Sequence, residues 1–301
     1  MTIFSEKCYF LTGPTACGKT SFALELAESL NAEILSMDSV AIFCGMDIGS
    51  AKPTREEQAQ VRHHLLDIVE PSRDFSVADY MRHAEESVRE ILERGKAPLF
   101  VGGTPLYLKS LIFGLFESPP ADASFREEMK ALAQIEAEKG NNSFLHDKLK
   151  KVDPDSAARL HPNDTKRLIR ALEVFSLTGK TIGEFQTQFE KRIPDETSRR
   201  IKVVDIPRAT LHERINFRVD QMFEKGLLDE TRQLLKTYPD LSATARQAVG
   251  YRETLAYLAR EEAGETPSFE ELKEEIKAHT RQLAKRQITW FRALFQRDFQ
   301  F

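Results

Sequence analysis

Along the first 115 residues, short continuous apolar runs alternate with segments in which apolar residues recur every three or four positions. Short apolar runs predict β-strands over residues 8–12, 33–37 and 97–102. Apolar residues spaced three or four apart predict helices over residues 20–30, 76–94 and 104–113. Ser76, with Asp79 three residues later, predicts the start of the second helix, and Gly95 predicts its end. Strands that alternate with helices in this way predict a parallel sheet covered by helices on both faces.

The pattern changes at Ser118-Pro119-Pro120, after which residues 123–189 show only helical spacing. Within that stretch, Asn163-Asp164 predicts the start of a helix that runs to Thr178 and ends at Gly179. A last strand is predicted over residues 201–206, and the rest of the chain is helical. We therefore predict an α/β core in two parts, residues 1–120 and 193–301, with an all-helical insertion at residues 121–192.

A glycine-rich segment between the first predicted strand and the first helix matches the phosphate-binding P-loop pattern G-x-x-x-x-G-K-[ST]. It consists of Gly13, Pro14, Thr15, Ala16, Cys17, Gly18, Lys19 and Thr20. The backbone N–H groups of such a loop and the N-terminus of the following helix form a site for oxyanions. Lys19 adds a positive charge, and the Thr20 hydroxyl can bind Mg²⁺. The segment predicts a P-loop NTPase-like parallel sheet flanked by helices, and a phosphorylated ligand.

Composition argues against several classes of protein. No stretch approaches the ~18 consecutive apolar residues that a membrane span needs, so we expect a cytoplasmic protein with no membrane partner. The three cysteines, Cys8, Cys17 and Cys44, all lie early and form no C-x-x-C pair. This usage predicts reduced thiols and no zinc site. Nothing in the sequence requires a dimer, and we expect a monomer.

Basic residues are concentrated in two stretches, residues 199–218 and 281–297, although the formal net charge is −4. A net negative charge argues mildly against a nucleic-acid partner. Basic faces on an acidic protein nevertheless favour a local site for a polyanion, because the distribution of charge matters more than its sum.

Two polar residues follow predicted strands, at the edge of the sheet where ligands bind in open α/β folds. Asp38 follows the second strand and could take a proton from an acceptor that attacks the bound ligand. The alternative is that Asp38 caps a helix or supports Mg²⁺ from a distance. Thr104 follows Gly102-Gly103 after the third strand, and a helix cap explains it equally well. The third strand lacks the terminal Asp with which ATPases position Mg²⁺, which argues against ATP hydrolysis.

Arginines and one tryptophan in the second half of the core indicate anion-binding surfaces. Arg214 and Arg218 lie four residues apart on one predicted helical face, where a diphosphate could lie between them; surface exposure without a ligand is the alternative. Residues 246–252 place an aromatic residue between two arginines. The basic helix predicted over residues 280–292 carries Trp290, which suits stacking on RNA bases or, alternatively, burial in the core.

These segments together resemble the bacterial tRNA dimethylallyltransferases, also called tRNA isopentenyltransferases, nearly from end to end. The matching motifs beyond the P-loop are Asp38-Ser39, Gly45-Met46-Asp47-Ile48-Gly49-Ser50-Ala51-Lys52-Pro53, Val101-Gly102-Gly103-Thr104, His161-Pro162-Asn163-Asp164, Arg170-Ala171-Leu172-Glu173-Val174, Gly250-Tyr251-Arg252 and Ala284-Lys285-Arg286-Gln287. Members of that family transfer a dimethylallyl group from its diphosphate to the exocyclic N6 amine of the adenosine 3′-adjacent to the anticodon, and release diphosphate.

The resemblance implies a role for each matching residue. The P-loop would hold the diphosphate of dimethylallyl diphosphate, together with Mg²⁺, rather than ATP. Asp38, Thr104 and Arg218 would be catalytic, with Asp38 as the general base, and the helical insertion would grip the anticodon stem-loop. The residues implied to contact tRNA are Asp38, Ser39, Val40, Ala41, Thr104, Arg126, Thr165, Lys166, Arg167, Arg246, Gln247, Gly250, Tyr251, Arg252, Lys285, Arg286, Gln287, Trp290 and Arg292.

The sequence departs from the family pattern without losing a charged catalytic group. Cys17, Phe43, Ser50 and Pro105 stand where Ser, Tyr, Thr and Gly are usual. Two other functions share part of the pattern. A nucleoside or nucleotide kinase would have a P-loop, a strand-end Asp and an arginine lid, but the basic C-terminal helix and the insertion argue against it. An RNA-binding ATPase switch would have a P-loop and basic surfaces, but the missing strand-end Asp argues against it.

Overall fold

The computed structural model of the chain describes residues 2–115, 119–185, 192–297 and 299. Ser118 of the predicted break and residues 186–189 of the predicted helical stretch lie outside the described residues. The chain divides into one unit of Met1–Ile112 with Ile193–Phe301 and a second unit of Phe113–Arg192. No helix in the described part of the chain is long and apolar enough to cross a membrane.

Five strands in the described residues form one sheet in which every neighbouring pair runs parallel. They are β1 (Tyr9–Thr12), β2 (Ala32–Ser36), β3 (His63–His64), β4 (Ala97–Gly102) and β5 (Ile201–Val203), in the spatial order β3-β2-β4-β1-β5. Phe10 of β1 lies opposite Phe100 of β4 on one side and Ile201 of β5 on the other. Parallel strands end at the same edge of the sheet, so the segments that follow β1, β2 and β4 meet there.

Burial explains why the strands could be predicted from apolar runs. Leu11, Leu35, Leu99 and Phe100 are all inaccessible to solvent, as expected of parallel strands that helices cover on both faces. The predicted fold class, a P-loop-like parallel sheet flanked by helices, is confirmed. The last strand is shorter than predicted, but Val204 continues its pairing because its N–H donates a hydrogen bond of 2.8 Å to the Thr12 carbonyl oxygen.

The two-residue strand β3 has too few residues for any periodicity to show, and the sequence did not predict it. A buried side-chain contact attaches it to β2, because His64 Nε2 lies 2.7 Å from Glu33 Oε2; Arg94 NH2 forms an ion pair with the same oxygen at 2.7 Å. Burial alone would raise the pKa of Glu33, but hydrogen bonds from Arg94 and His64 outweigh it and lower that pKa to about 2. The folded-state carboxylate therefore keeps its charge down to about that pH. Its contribution to stability is full above the ordinary pKa of 4.5 and is lost progressively as the pH falls from there towards 2.

Helices account for most of the remaining described residues. In chain order they are α1 (Ile3–Lys7), α2 (Lys19–Ser29), α3 (Arg55–Gln60), α4 (Val77–Glu93), α5 (Pro105–Phe113), α6 (Ala123–Glu138), α7 (Phe144–Val152), α8 (Pro154–Arg159), α9 (Thr165–Thr178), α10 (Ile182–Phe185), α11 (Asp195–Ser198), α12 (Arg208–Glu224), α13 (Leu227–Thr237), α14 (Ala243–Arg246), α15 (Tyr251–Glu262) and α16 (Phe269–Phe295).

Helix boundaries follow the capping residues identified in the sequence. Ser76 and Asp79 form a capping box before α4, in which each side chain accepts a hydrogen bond from the backbone N–H of the other residue. Asp164 accepts a hydrogen bond from the backbone N–H of Arg167 at the start of α9. Gly179 ends that helix with φ of 71°, a left-handed conformation that suits glycine.

The second unit is built around its own apolar cluster, in which Met129, Leu145, Leu149, Leu168 and Leu172 pack together. In the same unit, the fully buried carboxylate of Glu173 accepts hydrogen bonds from Arg126, Arg170 and the backbone N–H of Asp122. The Arg126 side chain forms a bidentate pair with distances of 2.7 and 2.8 Å. Arg126 therefore has a structural role inside this unit, whatever contact it also makes with RNA.

A further apolar cluster in the first unit joins α12, α13, α15 and α16 to the segment after β2. Phe43 and Met46 of that segment are fully buried against a cluster that includes Val219, Leu227 and Tyr251. The glycine-rich 45–53 loop therefore starts from a fixed position in the core of the unit.

Candidate active site

The P-loop wraps from the end of β1 to the start of α2, as the pattern predicts. Gly18 takes φ of 93° as the residue before α2, a conformation that L side chains rarely adopt. A side chain on Gly13 would lie 2.8 Å from the Val204 carbonyl oxygen, so the loop also needs glycine there. Within the motif, Cys17 is fully buried, and Thr15, Gly18, Lys19 and Thr20 are partly exposed towards a cleft.

Lys19 supplies a desolvated positive charge at the centre of the loop. Its ammonium donates hydrogen bonds to the carbonyl oxygens of Gly13 at 3.0 Å and Pro14 at 2.8 Å. Burial lowers the pKa of Lys19, and the nearby Arg218 lowers it further, whereas Cys17 and Asp38 act in the opposite direction. A bound anion would relieve this desolvation, because it would supply the negative charge that the surroundings largely lack.

Two arginines of α12 reach the same loop. Arg218 NH1 donates a hydrogen bond of 3.2 Å to the Thr15 hydroxyl, and burial lowers the pKa of Arg218. Arg214 NH1 donates one of 3.1 Å to the carbonyl oxygen of Cys17. Within the described ranges, no carboxylate forms an ion pair with either arginine, so both guanidinium groups border the P-loop in an arrangement suited to a diphosphate.

Asp38 lies half-buried at the end of β2, and one of its oxygens holds the turn that follows. Asp38 Oδ1 accepts hydrogen bonds from the backbone N–H groups of Val40 at 2.8 Å and Ala41 at 3.2 Å. Among the described residues, no protein hydrogen bond reaches the other oxygen, Oδ2. Asp38 thus caps a turn rather than a helix, and it keeps one oxygen available for a ligand in the cleft that it lines.

Thr104 ties the end of β4 to the turn after Asp38. Its hydroxyl oxygen accepts a hydrogen bond of 3.2 Å from the backbone N–H of Ser39, and its own N–H donates to the Met37 carbonyl oxygen at 3.3 Å. The hydroxyl hydrogen remains available as a donor. Thr104 therefore lies beside Asp38 across two strand ends, instead of capping α5 through its side chain.

Gln287 of α16 connects the P-loop to the end of β4. Its amide oxygen accepts a hydrogen bond of 2.8 Å from Thr15 N–H, and its amide nitrogen donates one of 2.7 Å to the Gly103 carbonyl oxygen. Only 8% of the residue is exposed. The contact with tRNA implied for Gln287 stays a prediction, whereas the contacts present here fix the P-loop relative to Gly103.

Lys19, Arg218, Asp38 and Gln287 line one cleft at the carboxyl edge of the sheet, which contains about 770 Å³ of space when the open solvent at its mouth is included. Its lining combines charged, polar and apolar side chains. The charged and polar members include Lys19, Thr20, Asp38, Lys52, Arg218 and Gln287. The apolar members include Ala23, Ile34, Ala41, Ala51, Pro53 and Val101. The cleft can therefore take a ligand with an anionic end and an apolar end.

The residues implied to contact tRNA differ widely in exposure. The exposed ones are Thr165, Lys166, Arg167, Arg246, Gln247, Arg252, Lys285, Arg286, Trp290 and Arg292. Trp290 is 37% exposed, with the Lys109 ammonium 5.8 Å from its ring centroid, so it does not lie in the core. Ser39 and Val40 are partly exposed, and Ala41 and Gly250 are buried. Tyr251 is only 1% exposed and its hydroxyl bonds to Glu230, so in this structure it presents no surface on which RNA could stack.

Some residues at the cleft were not identified from the sequence. His63 lines it from β3, with Nδ1 2.7 Å from the Val61 carbonyl oxygen, and burial lowers the pKa of His63. Lys52 has a 4% exposed side chain and pairs with Asp47 and Asp67 at 2.5 and 2.6 Å. Lys52 belongs to a motif that carries the family resemblance, but no signal in the sequence singled it out as a cleft residue, and none identified His63.

Comparisons with known proteins point to one family. Residues 41–294 match a family model described as IPP transferase. The chain is 46% identical over 289 residues to a tRNA dimethylallyltransferase of Geobacter sulfurreducens, covering 95% of this chain and 89% of that protein. It is 44% identical over 283 residues to a tRNA dimethylallyltransferase of Halothermothrix orenii, with coverage of 94% and 83%.

Two solved structures share the fold. One is the full-length tRNA isopentenylpyrophosphate transferase of Bacillus halodurans, with a TM-score of 0.63, 40% identity, and coverage of 95% of this chain and 87% of that one. The other is a eukaryotic dimethylallyltransferase described as acting on tRNA, with a TM-score of 0.71, 28% identity, and coverage of 95% and 70%.

Proposed function

The chain belongs to the IPP transferase family, and on that basis we propose that it transfers a dimethylallyl group from dimethylallyl diphosphate to a tRNA. The acceptor is the exocyclic N6 amine of the adenosine 3′-adjacent to the anticodon, and the second product is diphosphate. The enzyme is thus a tRNA-modifying prenyltransferase. We further propose that it acts as a monomer in the cytoplasm.

The observation that best supports this proposal is the cleft in which an anion site and a carboxylate face one space. Lys19, Arg218 and the P-loop, which follows β1, lie at one part of the cleft. Asp38 lines the cleft from the end of β2, and β4 lies between β1 and β2 in the sheet. An allylic diphosphate needs cations for its leaving group, and an amine acceptor needs a base for its proton. The cleft would supply both, and its apolar lining would suit the allyl group.

At the donor end, the bond between the allyl carbon and the diphosphate oxygen breaks, and its electron pair leaves with the diphosphate. Lys19 and Arg218 would stabilise the developing negative charge, and their prior desolvation makes that attraction stronger than it would be in water. Thr20 lies in the first turn of α2 and lines the cleft, so its hydroxyl would be the group that holds a Mg²⁺ ion there. Bound Mg²⁺ would further neutralise the leaving group.

At the acceptor end, the adenine amine forms the new bond to carbon and loses a proton. That amine is a weak nucleophile because its lone pair is delocalised into the ring. Asp38, with Oδ2 available, would orient the amine and accept its proton, and Thr104 would hold the Asp38 turn in place. The base must leave the stack of the anticodon loop to enter the cleft, at a cost of about a few kcal/mol.

Removal of exposed positive charge from α16 is expected to weaken tRNA binding and to reduce its dependence on salt. Lys285→Ala and Arg286→Ala should each lower the slope of log K against log salt by about one if the side chain neutralises one phosphate. Titrations of tRNA at several salt concentrations measure this, with Lys236→Ala, which removes an equally exposed charge from α13, as the control. Unchanged slopes in both α16 variants would place the RNA surface elsewhere.

The proposed function is tested by incubating the protein with tRNA, dimethylallyl diphosphate and Mg²⁺ and measuring the mass of the tRNA nucleosides. We expect one adenosine to gain the mass of one dimethylallyl unit only when the protein is present. A parallel thermal-shift series should show stabilisation by dimethylallyl diphosphate, competition by inorganic diphosphate and a weaker effect of ATP; a ligand at 100 times its Kd contributes about 2.7 kcal/mol. Rapid ATP turnover without allyl transfer would instead indicate a kinase or an ATPase.

A further inference from the structure

The 45–53 loop is held at residues 47–49 by one carboxylate from a different part of the chain, and we call this contact the outer attachment. Glu230, in the first turn of α13, accepts hydrogen bonds from three consecutive backbone N–H groups of the loop. The distances are 3.1 Å from Asp47, 2.8 Å from Ile48 and 3.3 Å from Gly49. Three amides that converge on one carboxylate form a more directional attachment than apolar packing would supply.

Tyr251 completes this attachment from the core. Its hydroxyl donates a hydrogen bond of 2.6 Å to Glu230 Oε1 and accepts one of 3.1 Å from Gly49 N–H. The ring is buried, and a Cβ atom on Gly49 would lie 2.5 Å from it, so position 49 requires glycine for this close approach. Burial raises the pKa of the Tyr251 hydroxyl, and the Glu230 charge adds to the effect, so the phenol stays protonated and can keep donating.

A second attachment, which we call the inner one, holds the loop through Lys52 and shares Asp47 with the outer attachment. The Lys52 ammonium contacts Asp47 and Asp67 and donates a hydrogen bond of 3.0 Å to the Phe43 carbonyl oxygen. Residues 50–53, which follow the outer attachment, line the cleft and contribute Ala51 and Pro53 to its apolar part. The position of residues 50–53 in the cleft therefore depends on both attachments.

We propose that Glu230 and Tyr251 are positioning residues that hold residues 50–53 against the allyl end of the donor. This inference rests on the proposed function for the identity of the donor. Neither residue touches the donor: Glu230 acts through the amides of residues 47–49, and Tyr251 acts through Glu230 and Gly49. The anionic end of the donor lies at the P-loop, which Glu230 does not contact, so loss of the attachment affects only the allyl end.

The variants that test this differ in one functional group each. Glu230→Gln keeps the shape but loses the charge and one acceptor oxygen, and Tyr251→Phe loses only the hydroxyl. Asp229→Asn is the matched control, because Asp229 lies beside Glu230 in the first turn of α13 while its exposed carboxylate pairs with Arg232 of the same helix. The control therefore removes the same charge from the same helix N-terminus without touching the loop.

The measurements are calorimetric titrations with dimethylallyl diphosphate and with inorganic diphosphate, and hydrogen exchange of the loop amides. We expect Glu230→Gln to raise the Kd of dimethylallyl diphosphate about tenfold and to leave the Kd of inorganic diphosphate within about twofold, since the hydrogen bonds of the loop to a charged group are weakened. The amides of residues 47–49 should exchange faster. In transfer assays the donor KM should rise while kcat stays within about threefold. Tyr251→Phe should act in the same direction but less, and Asp229→Asn should behave as the wild type.

Equal weakening of both ligands by Glu230→Gln would mean general damage to the cleft and would overturn the proposal. So would unchanged amide exchange together with an unchanged Kd for dimethylallyl diphosphate. The exchange measurement needs no donor, so it tests the attachment even if the wild-type protein transfers no allyl group. Failure of the proposed function would appear as absent transfer by the wild type, which is a different result from either of these.

Discussion

Asp38→Asn is expected to reduce the transfer rate by about 10²- to 10⁴-fold, the usual range for loss of a general base. Asparagine keeps an oxygen that can accept hydrogen bonds from Val40 and Ala41, so the turn after β2 should persist. What it loses is the ability to take a proton from the adenine amine. Single-turnover kinetics with saturating tRNA and donor would measure the chemical step directly, and binding of both substrates should change far less.

The comparison with two further variants makes the result specific. Asp38→Ala removes the two turn hydrogen bonds as well, so it should melt at a lower temperature than Asp38→Asn while it transfers no faster. Asp74→Asn changes an exposed aspartate and serves as the control for loss of charge. Near-normal turnover by Asp38→Asn would remove Asp38 from the role of base and leave it as the residue that shapes the turn.

The parts of this fold that the sequence predicted correctly are the ones whose signals are local. A strand, a short loop and a helix follow one another at residues 9–29, as the P-loop pattern requires. The strand ends that carry Asp38 and Thr104 could be assigned to one edge because parallel strands leave no other arrangement. Capping pairs such as Ser76 with Asp79 fixed helix boundaries for the same reason, since the interacting groups are close in sequence.

The features that the sequence did not reveal depend on contacts between distant residues. Gln287 lies 272 positions from Thr15, and nothing in the local sequence indicates that its amide joins two backbone groups of the site. The resemblance implies that Tyr251 contacts tRNA, and that contact stays a prediction. In the structure the Tyr251 ring packs in the core cluster and its hydroxyl bonds to Glu230, and neither contact is indicated by neighbouring residues in the sequence.

Lys19→Met should also have a large effect, at the other end of the reaction. Methionine has a similar length and no charge, so the leaving diphosphate loses a preorganised cation, and we expect a transfer rate about 10²- to 10³-fold lower. The fold itself should not suffer. Burial lowers the pKa of Lys19, which means that the charged ammonium makes the ligand-free folded protein less stable. Because its pKa is lower in the folded state, the charged Lys19 destabilises the folded state relative to the unfolded one at every pH below the ordinary lysine pKa. Replacing it with methionine removes this cost, so the melting temperature should stay unchanged or rise.

Thermal-shift measurements separate these two effects. Without ligand, Lys19→Met should melt no lower than the wild type, whereas inorganic diphosphate with Mg²⁺ should stabilise the wild type and scarcely affect the variant. Lys225→Met, at an exposed position after α12, is the control for replacing a lysine by methionine and should keep the full shift. A Lys19→Met protein that still gains stability from diphosphate and transfers at the wild-type rate would show that Arg214, Arg218 and the loop amides bind the leaving group without it. A variant that melts well below the wild type would show instead that the hydrogen bonds from Lys19 to Gly13 and Pro14 stabilise the P-loop by more than burial of the charge costs.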